Sequence, residues 1–281
     1  MDIALLASYC GSSIAMTVVN AAVARDAASS SSSSSPIGIL FFQTCVAAVV
    51  MYMMPVVVHD ARRRMPSWWA LAASLLSCCM LVSSLLSLVT LPIGTVSILR
   101  NLGSVVSLMV EYLCLNGDMS LRLLASTLTI VVGTILWGAM DGGGGVGVQW
   151  VIVNVSAQVL QGIRVKKAFQ KQPITPLQLS FENNAVSVLV FGLLGGANAV
   201  VPPTPLIVTS CLIGAALNFS GMILRKSTSA TSFLVINNAC KVGVVLAGVL
   251  VFGEGKGTTA VQWAGAAISF GGVAWYGYLK I

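Results

Sequence analysis

Charge is what this sequence has least of. Asp, Glu, Lys and Arg together make up 8% of the residues, where soluble domains carry roughly 25%, and 57% of the residues are apolar. Burying a Lys, Arg or Asp at a helix centre in hydrocarbon costs about 2.5–3.5 kcal/mol, so a chain built this way keeps its ions at the edges of a bilayer. Histidine is almost absent. A serine–histidine hydrolase needs a base within reach of its nucleophile, yet the single histidine, His59, falls at a loop edge. An aspartyl enzyme needs two facing aspartates, and Asp141 stands at the end of a span. No enzymatic activity is expected. The seven cysteines are odd in number, lie in apolar runs and lack zinc-type spacing with a histidine; they read as small buried hydrophobes, and no metal or other cofactor is expected. The formal net charge of +7 comes without a basic patch interleaved with aromatics, so nucleic acid is not an expected partner.

What the chain does have is long apolar runs. A membrane-crossing helix needs roughly 20 mostly apolar residues in a row, and ten such stretches can be marked: Ala4–Val23, Ile37–Val58, Trp68–Leu88, Ile93–Cys114, Leu121–Met140, Val146–Gly162, Leu177–Ala197, Leu206–Leu224, Thr231–Phe252 and Thr259–Leu279. The first lacks a basic leader and a small-residue cleavage site, so it reads as a retained span. Ser29–Ser35 before Pro36, the run Asp141 to Gly145, and Pro202, Pro203 and Pro205 punctuate the pattern as turns and linkers. Small residues in the ninth span (Gly243, Ala247, Gly248) and the tenth (Gly265, Gly271, Gly272) would let helices approach closely.

The expected class is therefore an all-α membrane protein of ten transmembrane helices in one membrane domain. Glycines 142–145 divide it into a first five-helix unit at 1–141 and a second at 146–281. A unit with an odd number of spans reverses its orientation when repeated, so the halves would form an inverted pair with a solute site near the midplane. Arg62–Arg64, Arg122, the cluster Arg164 to Lys171, Arg225, Lys226 and Lys280 fall on the side of both termini, with Arg25 and Lys256 opposite. Positive residues favour the cytosolic face, which places both termini there.

Two cations fall inside spans. Arg100 lies in the fourth and Lys241 in the ninth, corresponding members of the two halves. Intramembrane cations usually face a wet cavity or a partner. Ser104, Ser107 and Glu111 follow Arg100 on one helix face. Asn237 and Asn238 precede Lys241 by four and three residues, so amide and ammonium can converge. Two buried cations could offset the roughly −1.5 to −2 charge of a phosphate monoester, held by charge-assisted hydrogen bonds, while asparagine suits the donors and acceptors of a nucleobase. The residues alone lead to an organic-phosphate carrier.

The chain also resembles the Golgi GDP-mannose transporters along its whole length. Tyr9 to Asn20 (YCGSSIAMTVVN) resembles their first span. Leu91-Pro92, Leu99-Arg100-Asn101-Leu102 and Glu111 resemble their fourth, where lysine usually stands at the Arg100 position. Phe181-Glu182-Asn183-Asn184 resembles their FYNN motif, with Glu182 in place of tyrosine, and Asn237 to Lys241 lies where they carry GALNK. The resemblance implies the drug/metabolite transporter fold and exchange of a cytosolic nucleotide sugar, such as GDP-mannose, for a luminal nucleoside monophosphate. It implies that Phe181, Asn183 and Asn184 line a base pocket, that Phe233 lies near the substrate, and that Asn237, Asn238, Lys241, Arg100 and Asn101 serve the sugar-phosphate part. It also implies the Golgi membrane, with the endoplasmic reticulum or another endomembrane as alternatives, and leaves a homodimer open. Related carriers of UDP-sugars, triose phosphates or another small metabolite are the alternative reading.

Overall fold

The computed structural model describes residues 3–29, 36–53, 68–115, 120–138, 145–171, 173–198, 204–228, 230–255 and 257–280, with the side chains of residues 26–29, 107, 111, 113–115, 230–232, 234, 235 and 280 outside that description. The serine run beyond Ser29, Arg62–Arg64, residues 141–144, Pro202, Pro203 and Lys256 also lie outside the described residues. Every regular element described is helical: α1 (Ile3–Ser29), α2 (Pro36–Tyr52), α3 (Trp68–Thr90), α4a (Ile93–Leu99), α4b (Leu102–Leu115), α5 (Leu121–Gly138), α6 (Val146–Lys171), α7 (Pro176–Leu193), α8 (Pro205–Ser227), α9 (Ala230–Phe252) and α10 (Ala260–Lys280). Apolar side chains cover both faces of most of these helices, as expected where the surrounding medium is itself apolar. Among the described residues five stretches are long and apolar enough to cross a membrane: Ile3–Arg25, Trp68–Thr90, Ile93–Val110, Val146–Lys171 and Pro205–Ser227. Pro36–Tyr52, Leu121–Trp137 and Ile236–Phe252 are shorter apolar helices. The chain is thus a helical bundle compatible with a multi-pass membrane protein.

Local chemistry explains the helix ends. Thr175 and Thr204 each accept a hydrogen bond from the amide three residues on, and Pro176 and Pro205 follow at the first helical position. The seventh span, read from sequence as running to Ala197, ends at Leu193 as a helix. Gly195 there adopts φ +89°, a conformation glycine takes without steric cost, and Gly196 packs its bare Cα against Phe41 and the Phe191 carbonyl. Helix α1, by contrast, runs past the predicted Val23, carrying Arg25 within the helix instead of in a loop.

The helices pair in a definite order. α1 packs on α8 and α3 on α6; α2 lies against α7 and α8, while α3 also meets α7. α1 and α9 are in contact, as are α6 and α4b; α10 packs on α9, and α5 on both pieces of α4. α5 and α10 share an extended interface, and α9 crosses α4a. At the α5–α10 interface small residues decide the spacing. A Cβ added at Gly133 would lie 2.3 Å from the Ser269 amide nitrogen, one at Gly265 2.8 Å from the Gly133 carbonyl, and one at Gly272 2.8 Å from Ile130. Gly271, grouped by sequence with Gly265 and Gly272, faces open space.

Gly133→Ala is therefore expected to lower the apparent melting temperature of the purified protein, by a loss of about 1–3 kcal/mol typical of overpacking. Gly271→Ala should be neutral or slightly stabilising, because alanine is the better helix former. Equal melting temperatures for the two variants would contradict this packing.

Candidate functional site

The fourth helix breaks where its cation sits. Between α4a and α4b the backbone tightens: Asn101 N–H bonds the Ile98 carbonyl, Gly103 N–H the Arg100 carbonyl and Ser104 N–H the Asn101 carbonyl, each three residues back. A tightened turn of this kind tips carbonyls off the helix axis. The Arg100 carbonyl accepts a second hydrogen bond, from the Lys241 ammonium at 2.9 Å. Lys241, midway along α9, also donates to the Asn238 side-chain oxygen. The Asn238 amide in turn donates to Ser104 Oγ at 2.7 Å. A closed polar ring thus joins α4 to α9 through Arg100, Lys241, Asn238 and Ser104.

Among the described residues neither cation pairs with a carboxylate. Arg100 donates from Nη2 to Ser84 Oγ at 2.7 Å, while its Nε is buried without a partner among the described residues. Lys241 is only 7% exposed and spends two of its three donors on neutral oxygens. Among the described residues the one ion pair of a lysine or arginine with a carboxylate is Arg25–Glu254, elsewhere in the fold.

Arg100 and Lys241 line a common cavity of about 240 Å³ between α1, α3, α4, α6, α7, α8 and α9. Asn183, Phe233 and Asn237 line it as well. Asn183 donates to Ser77 Oγ at 3.1 Å. Asn237 accepts from the Tyr9 hydroxyl at 3.2 Å, so of the two asparagines before Lys241 it is Asn238 that holds the ammonium.

The remaining sequence candidates sit away from this hollow. Asn238 lies behind Lys241 in the ring just described. Asn101 donates to Ser269 Oγ at 3.0 Å, between α4 and α10. Phe181 packs with Met51, Leu177 and Phe219 and lies 5.9 Å from the Tyr52 ring. Asn184 bonds the Ser180 carbonyl at 2.8 Å and reaches Met51 Sδ at 3.7 Å. Adjacent helical residues point about 100° apart, so only one of Asn183 and Asn184 can face the cavity. Glu182 accepts from Gln178 at 3.1 Å, off the cavity.

Several lining residues were not singled out from sequence. Tyr9, Ser13, Met16, Thr17 and Asn20 follow one face of α1, and Asn154, Gln158 and Gln161 one face of α6. Their i, i+4, i+7 spacing inside apolar spans was the available signal. Arg225, assigned from sequence to a loop with Lys226, is also a lining residue. The two part company in space: Lys226 is exposed, while Arg225 turns inward over the Phe233 ring at 4.4 Å.

Beyond the cavity, on the side of Arg25, the bundle is packed and then clamped. Leu88 and Val244 belong both to the cavity wall and to an apolar cluster with Ala21, Ala24, Leu91 and Ile93. Past that layer Glu254 Oε1 accepts from the Ile93 amide at 3.0 Å and from Arg25, while Oε2 accepts from the Gly94 amide at 3.0 Å. One carboxylate therefore caps the start of α4a, where Pro92 offers no side-chain cap. The Arg25 guanidinium also covers the Phe252 ring at 4.2 Å. Gly253, at φ +66°, turns the chain back, and Gly248 leaves room for the carboxylate, which a Cβ there would meet at 2.9 Å.

No family model matches this sequence, and no curated protein matches it. A solved crystal structure of a protein superposes with a TM-score of 0.63 over 99% of this chain and 98% of that chain, at 14% identity. At that identity the likeness is one of fold.

The geometry makes Asn101 a packing residue. Asn101→Leu is expected to lower stability by about 1–3 kcal/mol, the usual cost of losing a buried hydrogen-bond partner, while leaving the affinity of any anion bound in the cavity within about twofold. A melting curve and a binding isotherm on the same preparation check both halves of that expectation.

Proposed function

We propose that this chain is a nucleotide-sugar carrier of the Golgi or another endomembrane, exchanging a cytosolic nucleotide sugar for a luminal nucleoside monophosphate by alternating access. In this reading all ten helices cross the bilayer, both termini are cytosolic and the protein carries out no covalent chemistry. The observation that carries the reading is a central cavity whose lining, among the described residues, includes three cations, Arg100, Arg225 and Lys241, and no acidic side chain. Cations held this way in a low-dielectric interior are stabilised by a bound anion, and a phosphate ester supplies the charge and the oxygens. Amide and hydroxyl groups on the walls, among them Asn20, Asn154, Gln158 and Asn183, offer donors and acceptors to a base and a sugar.

The order of helix packing supports an arrangement of two repeats. Exchanging each helix for the one five places on turns the α1–α8 contact into α6–α3, the α2–α8 contact into α7–α3, the α1–α9 contact into α6–α4, and the α9–α10 contact into α4–α5. The α2–α7, α4–α9 and α5–α10 contacts map onto themselves. Five helices per unit then imply inversion, and Lys241 and Arg100 meet where such repeats place a solute. The resemblance to GDP-mannose transporters points to the same class of substrate.

Within this cycle the clamp at Glu254 belongs to the closed side. It ties α1, the start of α4a and the α9–α10 turn together across an apolar layer, so opening there must part Arg25 from Glu254. In a cysteine-free background, Leu88→Cys should label severalfold faster with a membrane-impermeant thiol reagent from that side when Arg25→Gln is added. Labelling that is indifferent to Arg25 would remove the pair from the gate.

Transport itself is tested by counterflow. Proteoliposomes preloaded with GMP, UMP or CMP should accumulate one class of labelled nucleotide sugar well above empty vesicles. Lys241→Ala should reduce that uptake to below about a tenth, and Arg100→Lys should retain part of it, because charge is kept while the two-pronged guanidinium is lost. Full uptake by Lys241→Ala, in vesicles shown to contain the protein, would contradict the mechanism.

A further inference from the structure

Arg225 is the one cavity cation to which the transport reading assigns no task of its own. It occupies the last turn of α8, a place where a basic residue ordinarily interacts with the helix C-terminus or snorkels to an interface. Lys226 does remain exposed, as that role requires. Arg225 instead faces the cavity. Its Nη1 donates to Gln161 Oε1 at 2.7 Å, and its guanidinium lies 4.4 Å above the Phe233 ring. Phe233 is 5% exposed and stands 5.4 Å from the Tyr9 ring. The arginine is thereby fixed by an amide on α6, an aromatic on α9 and, behind that, an aromatic on α1. Among the described residues no carboxylate pairs with it. A rigid, oriented fork with unspent donors on a cavity wall is the usual way a protein recognises a planar or multi-oxygen anion.

Spacing decides what kind of anion. Phe233 and Lys241 are eight residues apart on α9, roughly 12 Å along the axis at about 1.5 Å per residue. The Lys241 side chain leans back one turn to reach Asn238 and the shorter Phe233 side chain leans the same way, so the ammonium lies roughly 7–12 Å along the helix from the ring under Arg225. Hydrogen bonds from charged donors are only about 2.8 Å long. One phosphoryl group sitting on Lys241 and Arg100 falls short of Arg225, whereas a ligand with a second phosphoryl group beside the first extends towards it.

We propose that Arg225 is a ligand-binding residue that extends the Lys241–Arg100 anion site into an elongated one, selective for nucleoside diphosphate groups over monophosphates. The proposal rests on the anion-carrier reading of the cavity. It assigns the two cation stations different tasks: Lys241 and Arg100 hold the phosphoryl group common to both exchange partners, and Arg225 engages the second, which only the diphosphate partner carries. Carrier asymmetry would follow, with the diphosphate ester bound more tightly than the monophosphate that leaves.

Equilibrium binding to the purified full-length protein tests this, using GMP against GDP and UMP against UDP so that each pair differs by one phosphoryl group. Wild type should bind the diphosphate of at least one pair more tightly than the monophosphate. Arg225→Gln should weaken diphosphate binding by about 10- to 100-fold, the range for losing a hydrogen bond to a charged group, and leave the monophosphate within about twofold. Lys241→Gln should weaken both. Arg225→Lys, which keeps the charge but not the fork, should fall between wild type and Arg225→Gln, and it carries the test should Arg225→Gln fail to fold. Equal loss for mono- and diphosphate, or no loss for either, overturns the assignment while the carrier reading stands. Binding of CMP alone overturns the assignment while the carrier reading stands, and a wild-type protein that binds neither the four nucleotides nor CMP overturns both.

Discussion

A lysine halfway along one helix donates into the carbonyl of an arginine where another helix breaks, and the rest of the site depends on that contact. It places two positive charges in the middle of an apolar bundle, and their hydrogen-bond acceptors among the described residues are neutral oxygens. Such an arrangement is expensive to maintain in a bilayer. The fold meets the cost locally, with Ser84 accepting from Arg100, Asn238 accepting from Lys241 and Ser104 accepting from Asn238 in turn, and leaves the electrostatic imbalance facing a cavity. In the proposed function that imbalance is what selects an anionic solute.

The same helix is held twice. Its break receives Lys241, and its first turn is capped by Glu254, which follows α9 in the chain. Movement of α9 against α4 therefore disturbs both the anion site and the clamp at Arg25. A ligand whose oxygens replace the Arg100 carbonyl as partner of Lys241 would loosen one of those ties. This offers a physical link between occupancy of the cavity and opening beyond it, without any wire of intermediate residues.

Much of the architecture could be read from the sequence because hydrophobicity and length dominate it. The helices fall close to the apolar runs, and Arg100 and Lys241 stood out because cations are rare in such runs. The differences have identifiable causes. Arg25 follows the apolar stretch and so reads as a loop residue, yet its carboxylate partner, 229 residues away, is visible only in three dimensions. Arg225 looked like half of an interfacial Arg-Lys pair, and only the aromatic shelf of Phe233 and Tyr9 shows that it turns inward. For Phe181, Asn184 and Asn101 a motif match named residue types, but the 100° step between neighbours decides facing, and these three pack between helices instead of along the cavity. The uncharged lining of α1 and α6 was harder to find, since serine, threonine, asparagine and glutamine in membrane helices serve packing as often as ligands.

The most direct test of the central claim compares a nucleotide with its own nucleoside. If the unpaired cations of the cavity drive recognition, the purified protein should bind guanosine or uridine monophosphate, or the corresponding nucleotide sugar, at least 100-fold more tightly than the matching uncharged nucleoside, a difference of about 2.7 kcal/mol, and that preference should shrink as salt is raised. Equal affinity for nucleoside and nucleotide would show that the charges of Arg100, Lys241 and Arg225 serve some purpose other than holding phosphate.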